Sequence, residues 1–354
     1  PAHRLMVKPA PFADRLLDWW DQHGRKDLPW QHPRTPYRVW ISEIMLQQTQ
    51  VSTAIPYFER WMKSFSGIDS LARASQDEIL AHWSGLGYYA RARNIHKAAA
   101  ICCEKYQGEL PVSSDELAAL PGIGLSTANA IVSQATDRPA AVLDGNVRRV
   151  LARHTATEGW TGNAAVQKAL WKEAETRLPD ERGADYTQAV MDLGALLCTR
   201  SKPDCPACPV SEDCRARIED KITELPTPKP AAKISEQTVV LAILRDERGR
   251  VLLEKRPGTG IWGGLWCLPA GDSLAVISEH LGLRMEKTAP LASFEHRLSH
   301  VRMTIQPCLA ATATATQVKC TDRLAWFDAG QQATLGLPRP VSELLQHMNT
   351  GELK

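Results

Sequence analysis

The spacing of apolar and polar residues changes near residue 225 and divides the chain into two parts. Up to about residue 220, apolar residues recur at helical spacing in long segments, which are separated by short turns such as SGLGYYARARN and LPGIGLS. Further on, the strand-like stretches TVVLAIL and RVLLEKR flank the turn RDERG, which predicts a β-hairpin, and VRMTIQPCLAATAT is also strand-like. The pattern therefore predicts a multi-domain protein, with an all-α domain followed by a smaller α+β domain.

The predicted domain boundaries follow from this change of pattern. We expect a helical domain over residues 1–225, with a helix–hairpin–helix at 120–132 and a cysteine-rich loop at 198–214. The segment ELPTPKPAAKISEQ is rich in proline and alanine, so residues 226–237 are predicted to form a linker. Residues 238–354 then make up the second domain, in which DSLAVISEHLGL and PVSELLQHM are predicted helices.

Composition and charge narrow the possible classes of protein. The formal net charge is only +2 over 354 residues, whereas proteins that coat nucleic acid non-specifically are usually far more basic. Any nucleic-acid contact must therefore use local positive charge and backbone amides. No apolar run reaches membrane-spanning length, and the first residues contain no signal-peptide core. The nine cysteines, an odd and unevenly spread set, favour a reducing cytosol over a secreted disulfide framework.

Four of these cysteines lie close together in the segment CTRSKPDCPACPVSEDC, with the spacing C-x6-C-x2-C-x5-C. They are Cys198, Cys205, Cys208 and Cys214. Thiols at this density normally bind metal, either a zinc ion or a cubane iron–sulfur cluster. Zinc sites usually pair two C-x2-C knuckles and this loop has one, so the spacing favours a [4Fe–4S] cluster, with zinc as the alternative.

The segment LPGIGLSTANAIV predicts a helix end, a tight turn and a new helix start. Gly122 and Gly124 let the turn expose consecutive N–H groups, and Ser126 or Thr127 could cap the second helix. Exposed amides at a helix N-terminus suit a phosphate oxygen, and they anchor a backbone without reading its sequence. An ordinary helix–turn–helix connection is the alternative.

Two acids stand out in apolar surroundings. In VWISEIMLQQTQV, Glu43 lies on a predicted helix with no cation within four residues, and Gln47 and Gln48 follow it. In AAVLDGNVRRV, Asp144 follows a buried-looking segment and precedes Asn146 at a predicted helix start. Asp144 could simply cap that helix, and Glu43 could be a buried glutamate that is bonded to a distant partner.

Together these motifs resemble the helix–hairpin–helix DNA glycosylases of the endonuclease III superfamily. The segments VWISEIMLQQTQV, GLGYYARARN, LDGNVRRV and DLGALLCTRSKPDCPACP are similar to the A/G-specific adenine DNA glycosylases of the MutY family, and the resemblance covers nearly the whole chain. It implies an all-α glycosylase domain with an iron–sulfur loop, followed by an α+β Nudix-like domain. The implied activity is hydrolysis of the N-glycosidic bond of adenine that is mispaired with 8-oxoguanine or guanine in duplex DNA.

The resemblance also implies how the candidate residues share the chemistry. Glu43 would be the general acid, because burial raises a carboxyl pKa and keeps a proton available near neutral pH. Asp144, held ionised by helix-start amides, would stabilise or trap the oxocarbenium ion, with Asn146 orienting Asp144 or a water molecule. Ser126 occupies the position at which strand-cleaving relatives carry a Schiff-base lysine, so a monofunctional hydrolase is expected.

Further residues match the family's contacts with DNA and with the flipped base. Wedge elements that refill the base stack match Gln47, Gln48 and Tyr88, and the segment lining the adenine pocket matches Arg25, Lys26 and Trp30. Gln188 could contact the base edge. The implied partner is double-stranded DNA containing A:8-oxoguanine or A:G mispairs, the protein is expected to be a monomer in the bacterial cytoplasm, and no membrane partner is expected.

The second domain is expected to recognise 8-oxoguanine without catalysing a Nudix reaction. Its segment PGTGIWGGLWCLPAG resembles a Nudix fold, but the following DSLAVISEHLGLR lacks the glutamate-rich helix that would hold magnesium. The family's Phe-Ser-His reading element matches Leu298, Ser299 and His300, with leucine replacing the aromatic residue. Two other readings of the chain are an endonuclease III-like glycosylase/lyase for oxidised pyrimidines and a DNA-binding protein without catalytic activity.

Overall fold

The structure, a computed structural model, describes residues 10–230, 234–285, 287–311, 318 and 320–350. Its contacts divide these residues into two compact units. The first unit contains the described residues up to Ala72 and those from Lys97 to Pro230. The second contains Arg73–His96 and the described residues from 234 onward.

The chain up to Pro230 is helical, which confirms the predicted fold class of this part. In chain order, its helices are α1 (Phe12–His23), α2 (Pro36–Leu46), α3 (Val51–Ser64), α4 (Ile68–Arg73), α5 (Gln76–Trp83), α6 (Ala90–Lys105), α7 (Ser114–Ala118), α8 (Leu125–Thr136), α9 (Gly145–His154), α10 (Ala164–Glu175), α11 (Gly183–Asp192) and α12 (Arg215–Ile218). A 3-10 turn covers Pro29–Gln31, and a π-helical turn at Leu193–Leu197 continues α11. No helix among the described residues has the length and apolarity required to cross a membrane.

Amphipathic helices build the core of the first unit. Helix α1 buries apolar residues at helical spacing, including Leu16 and Trp20, and they pack with Leu151 of α9 and Val190 of α11. Helix α2 begins at Pro36, where a proline lacks an N–H that the helix would leave unpaired, and the Thr35 side chain caps it. Local sequence therefore fixes the start of the helix that carries Glu43.

The second unit adds a mixed α/β fold after residue 234, which confirms the predicted helical and α+β parts. Its strands are β1 (Ser235–Leu244), β2 (Val251–Lys255), β3 (Trp266–Cys267), β4 (Ala270–Gly271), β5 (Lys287–Pro290), β6 (Phe294–Arg297), β7 (Val301–Ala311) and β8 (Leu324–Phe327). Its helices are α13 (Leu274–Leu281), α14 (Ala329–Gln332) and α15 (Arg339–Thr350). The first sheet has the strand order β4-β1-β7-β5, in which β1 and β7 are parallel and β6 also pairs with β7. The second sheet has the strand order β3-β2-β8.

The predicted hairpin between the first two strands forms only at its turn. Asp246 accepts a backbone hydrogen bond of 2.9 Å from Gly249, and one antiparallel bridge joins Arg245 to Val251. Beyond that bridge, β1 and β2 enter different sheets. The prediction of a paired hairpin was wrong because β1 pairs with the distant strand β7, which a local alternation pattern cannot reveal.

The segment Arg73–His96 belongs to the second unit, although it lies within the predicted helical domain. Asp77 pairs with Lys255 at 2.6 Å and accepts a hydrogen bond from Trp266, and Arg93 donates to the carbonyl oxygen of Gly263 at 2.5 Å. Strand β1 also begins at Ser235, within the segment predicted as linker. The domain boundaries given above stay predictions.

Candidate active site

The carboxyl group of Glu43 lies in an apolar environment on α2. The residues on either side of it are buried, and Glu43 itself is half-buried. Its Oε1 accepts a hydrogen bond of 3.1 Å from Gln134 Nε2 on α8. Burial, and secondarily the negative charge of Asp144, raises the pKa of Glu43 to about 8, although the Gln134 hydrogen bond acts in the opposite direction. Glu43 is therefore mostly protonated at neutral pH.

Asp144 is the N-cap residue of α9, where its Oδ1 accepts a hydrogen bond of 2.7 Å from the backbone N–H of Val147. Burial raises the pKa of Asp144, against the backbone N–H groups of Val147 and Asn146 and the positive charges of Arg149 and Arg148. The expected helix-start amides are present, but burial outweighs them in the net direction of the shift. The charge of Asp144 acts on Glu43, so the two carboxyl groups are near enough to interact.

The glycine-rich turn lies between α7 and α8. Gly122 has a φ of 80°, a left-handed conformation that favours glycine, and a Cβ added at Gly124 would meet nothing within 4 Å. The predicted cap by Ser126 or Thr127 was wrong: Gly124 is the N-cap of α8 and no side chain caps it. Ser126 Oγ instead accepts a hydrogen bond of 2.9 Å from the backbone N–H of Leu143, which joins the hairpin to the segment leading into Asp144.

Arg149 links the start of α9 to the cysteine-rich loop. Its Nη2 donates to Asn146 Oδ1 at 2.8 Å and to the carbonyl oxygen of Gly194 at 2.6 Å, and its Nε donates to the carbonyl oxygen of Cys198 at 2.7 Å. The same guanidinium opposes the rise in the pKa of Asp144. The position of Asn146, two residues after Asp144, thus depends on the backbone of the cysteine-rich loop.

All four cysteines of the loop line one cavity with Arg153, which donates to Cys198 Sγ at 3.4 Å. Burial raises the pKa of Cys208 to about 12 and also raises the pKa of Cys205 and Cys214, and the charges of neighbouring loop thiols add to each rise. Such mutually destabilising thiolates need a bound cation, so these residues could hold a metal cofactor. Within the described ranges, no three His, Cys, Asp or Glu side chains are placed to hold a single metal ion.

Arg25 and Gln188, two of the predicted base-pocket residues, are bound to the carboxylate of Asp192 at the end of α11. Asp192 is fully buried and accepts from Arg25 Nη2 at 2.6 Å and from Gln188 Nε2 at 2.8 Å. Trp30 is 2% exposed, with its ring edge-to-face on Phe58. These side chains have packing partners of their own, so their contacts with a base stay predictions.

Lys26 and Gln47 lie nearer the surface of the first unit. Lys26 is exposed, and its Nζ lies 5.0 Å from the ring centroid of Trp20. Gln47 is the half-buried C-cap residue of α2. Their roles in DNA binding stay predictions.

Two of the predicted wedge residues have a strained backbone. Gln48 has a φ of 60° and Tyr88 a φ of 48°, values that residues other than glycine rarely adopt. Gln48 is exposed and the Tyr88 side chain is 47% exposed, with the Arg91 guanidinium 5.6 Å from its ring centroid. Backbone strain is common at functional sites, and the contact of both residues with DNA stays a prediction.

The predicted reading element forms the turn between β6 and β7. Leu298 packs against the core of the second unit, and its N–H donates to the carbonyl oxygen of Val301 at 2.9 Å. Ser299 and His300 are exposed and lie within hydrogen-bond distance of each other, at 3.2 Å between Oγ and Nδ1. Leu298 thus contributes to the core of the second unit, whereas the side chains of Ser299 and His300 are exposed and available to a ligand.

Sequence analysis missed three residues of this site: Gln134, Arg149 and Asp192. Gln134 and Asp192 are polar residues within apolar helical runs, AIVSQAT and AVMDLGALL, and that interruption was the available signal. Arg149 had no comparable signal in the sequence, because arginine and lysine residues are common in the first two turns of a helix.

Known protein families match both the helical part and the C-terminal part of the chain. The model of the HhH-GPD superfamily of base excision DNA repair proteins matches residues 41–176, and the NUDIX domain model matches residues 239–347. An adenine DNA glycosylase from Buchnera aphidicola subsp. Baizongia pistaciae is 38% identical over 338 residues, which cover 94% of this chain and 95% of that protein.

Solved structures match the helical part. A thermostable thymine-DNA glycosylase aligns with a TM-score of 0.52 and 27% identity, covering 59% of this chain and 95% of that one. Endonuclease III in a non-covalent complex with DNA aligns with a TM-score of 0.51 and 26% identity, covering 59% and 94%. The chain therefore belongs to the adenine DNA glycosylase family of base excision repair enzymes and is a DNA N-glycosylase with an endonuclease III-like helical domain and a C-terminal Nudix-like domain.

Proposed function

We propose that the protein hydrolyses the N-glycosidic bond of adenine mispaired with 8-oxoguanine or guanine in duplex DNA, after flipping the adenine out of the stack. The observation that carries this proposal is the coupled pair of carboxyl groups, in which Glu43 has a pKa of about 8. Adenine is a poor leaving group as an anion, so it must gain a proton as the bond breaks. A carboxyl group that is protonated at neutral pH can supply that proton.

The division of roles follows from the partners of the two acids. Among the residues that the structure describes, Glu43 accepts one hydrogen bond, from a neutral amide. Asp144 has two backbone N–H donors and two nearby arginine charges, all of which favour its ionised form. When the coupled pair holds a single proton, that proton therefore belongs on Glu43. The negative charge then lies on Asp144, where it can stabilise or trap the oxocarbenium ion, as in glycosidases that use two unlike carboxyl groups.

We further propose that the enzyme is monofunctional. A strand-cleaving step through an imine needs a primary amine at the position that Ser126 occupies. The Ser126 hydroxyl cannot form an imine, and it is engaged by the backbone N–H of Leu143. The product would then be an intact strand with an abasic site, which alkali cleaves.

We assign the four cysteines of the loop to a [4Fe–4S] cluster rather than to zinc. Four sulfurs on one zinc ion would lie about 4 Å apart, because each Zn–S bond is about 2.3 Å long. In a cubane each cysteine binds a different iron atom, which spaces the sulfurs more widely. The lack of a compact three-donor set among the described residues supports the cluster. When bound, it would cross-link the loop whose backbone positions Arg149, and hence Asn146.

Contacts with DNA are proposed from three features. The exposed glycines Gly122 and Gly124 would hold a phosphate at the start of α8, Gln48 and Tyr88 are each proposed as a wedge residue, and Ser299 with His300 would bind 8-oxoguanine. Each feature supplies exposed polar or aromatic groups without requiring a large net charge.

Single-turnover excision assays test this function. Duplexes with A opposite 8-oxoguanine and with A opposite guanine should lose adenine, and strand cleavage should appear only after alkali. A matched duplex with thymine glycol should remain intact. Cleavage of the thymine glycol duplex without alkali would instead establish the endonuclease III-like alternative.

A further inference from the structure

Gln134 lies in the last turn of α8 with its carboxamide against the carboxyl group of Glu43. We propose that Gln134 is a positioning residue for the general acid: it holds Glu43 Oε1, leaves the acid proton on Oε2, and stabilises the carboxylate that forms when this proton moves to adenine. This inference rests on the proposed role of Glu43. It adds a residue that acts on the proton donor rather than on the substrate.

The surroundings of Gln134 show that the contact with Glu43 is its main polar interaction. The side chain is 4% exposed, and it follows the buried residues Ile131, Val132 and Ser133 on the same helix. A buried amide is unfavourable unless it is hydrogen-bonded. Its Nε2 donates to Glu43, whereas its Oε1 is a buried acceptor with no partner among the described residues. Packing alone gives no reason for an amide at this position.

The direction of the hydrogen bond favours one position for the proton of Glu43. A carboxylic acid accepts hydrogen bonds better at its carbonyl oxygen than at its hydroxyl oxygen, so the N–H donor at Oε1 favours a proton on Oε2. Oε2 has no hydrogen-bond partner among the described residues, and Glu43 is half-buried. The proton is thereby placed on the oxygen that no described protein group binds.

The proposed step balances as follows. The Oε2 proton passes to a ring nitrogen of adenine, the electron pair of the glycosidic bond goes with the base, and neutral adenine departs. Glu43 becomes a carboxylate, and C1′ becomes the cation that faces Asp144. Water then adds to C1′ and releases a proton, which restores neutral Glu43. The charge that develops on Glu43 is thus new in the transition state.

A hydrogen bond to a carboxylate is stronger than one to a neutral carboxyl oxygen. The Gln134 contact therefore strengthens as Glu43 loses its proton, and it lowers the barrier more than it stabilises the ground state. The negative charge of Asp144 acts on Glu43 in the opposite sense, and Arg148 and Arg149 act on Asp144. Gln134 partly offsets the repulsion that Asp144 exerts on the forming carboxylate.

Replacing Gln134 with methionine removes the donor and keeps the length of the side chain. Ser133→Ala is the matched control, because Ser133 is the neighbouring buried residue of α8 and loses a 2.8 Å hydrogen bond from Thr187 without touching Glu43. Single-turnover excision from an A:8-oxoguanine duplex should be measured from pH 5 to 9 for both variants and the wild type. Equilibrium binding to the same duplex and far-UV circular dichroism should accompany each variant.

We expect Gln134→Met to lower the plateau rate about 10-fold, the size of a lost hydrogen bond to a charged group. DNA affinity and secondary structure should be unchanged. The alkaline limb of its pH profile should move to higher pH, since the hydrogen bond opposes the rise in the pKa of Glu43. Ser133→Ala should keep the wild-type profile.

Two results would overturn the inference. One is an alkaline limb at the wild-type position with a rate loss no larger than that of Ser133→Ala, which would make Gln134 a packing residue. The other is faster excision by Gln134→Met, which would mean that the amide is reversed and holds the proton away from the base. Glu43→Gln separates this failure from that of the proposed function: if Glu43→Gln still excises adenine, the general-acid assignment itself is wrong.

Discussion

Two acids lie alone in apolar helices of the first unit, and their surroundings assign them opposite tasks. Asp192 is fully buried and accepts hydrogen bonds from Trp20, Gln188 and both the backbone and the guanidinium of Arg25. Within the described ranges, Glu43 accepts one hydrogen bond, which comes from an amide, and burial raises its pKa to about 8. A well-satisfied carboxylate organises structure, whereas a poorly satisfied one keeps a proton that it can give away.

The comparison also shows what a carboxyl group needs to be catalytic. The Asp192 carboxylate has an arginine at 2.6 Å, and no free oxygen is left to meet a ligand. Glu43 leaves Oε2 without a hydrogen-bond partner among the described residues. Removing the charge of each acid should therefore have different consequences, which three measurements can separate.

The largest effect is expected for Glu43→Gln. The glutamine keeps the size of the side chain but has no acidic proton, so excision of adenine opposite 8-oxoguanine should slow by about 10²- to 10⁴-fold, the usual contribution of general acid catalysis. Single-turnover kinetics measure the loss, and fluorescence anisotropy should show unchanged binding to the duplex.

Glu59→Gln is the control for this substitution, because Glu59 is an exposed glutamate on the adjacent helix α3. Its excision rate should match the wild type. If Glu43→Gln retained the wild-type rate while binding DNA normally, Glu43 would be a structural acid like Asp192, and the two acids would not differ in function.

The sequence alone could not separate these two acids. Both interrupt apolar helical runs, but two partners of Asp192, Arg25 and Trp20, lie 167 and 172 residues away in the chain. Gln134 lies 91 residues from Glu43. Burial and partner identity depend on tertiary contacts, and one sequence does not encode them in a local pattern.

Other features could be predicted because their causes are local. Helical periodicity, the proline at the start of α2 and the aspartate before α9 fix those helices within a few residues. The cysteine spacing indicated a metal-binding loop, and the same four residues line one cavity. The paired hairpin failed for the opposite reason, because the register of β1 is set by β7 more than fifty residues later.

A smaller effect, on stability rather than rate, is expected for Asp192→Asn. The substitution leaves the Arg25 guanidinium without its charged partner, and the loss of one member of a buried ion pair typically costs about 3–5 kcal/mol. Arg25 is 26% exposed, so we expect the lower part of that range. Urea denaturation of the full chain, followed by far-UV circular dichroism, measures the change.

Asp21→Asn provides the matched control, since it breaks an exposed ion pair between the same two helical regions. Asp21 lies on α1 and pairs at 2.6 Å with Arg182, the residue before α11, with 46% and 39% of the two side chains exposed. Exposed pairs contribute about 0–1 kcal/mol. Equal destabilisation by Asp192→Asn and Asp21→Asn would show that the buried network has no special structural role.

The last effect concerns the pH dependence of stability. Because the pKa of Glu43 rises from 4.5 to about 8 on folding, its contribution to stability is present below pH 4.5 and is lost as the pH rises through 8. Each pKa unit corresponds to about 1.4 kcal/mol, so this rise predicts that Glu43→Gln gains about 4 kcal/mol on the wild type between pH 4.5 and pH 9. Urea denaturation at several pH values measures this difference.

The control is Glu78→Gln, whose stability relative to the wild type should change with pH in the opposite direction, since hydrogen bonds from the Ser75 N–H and hydroxyl lower the pKa of Glu78. A stability difference between Glu43→Gln and the wild type that stays constant from pH 4.5 to 9 would mean that Glu43 ionises in the folded protein as it does in water, and the contrast with Asp192 would lose its electrostatic basis.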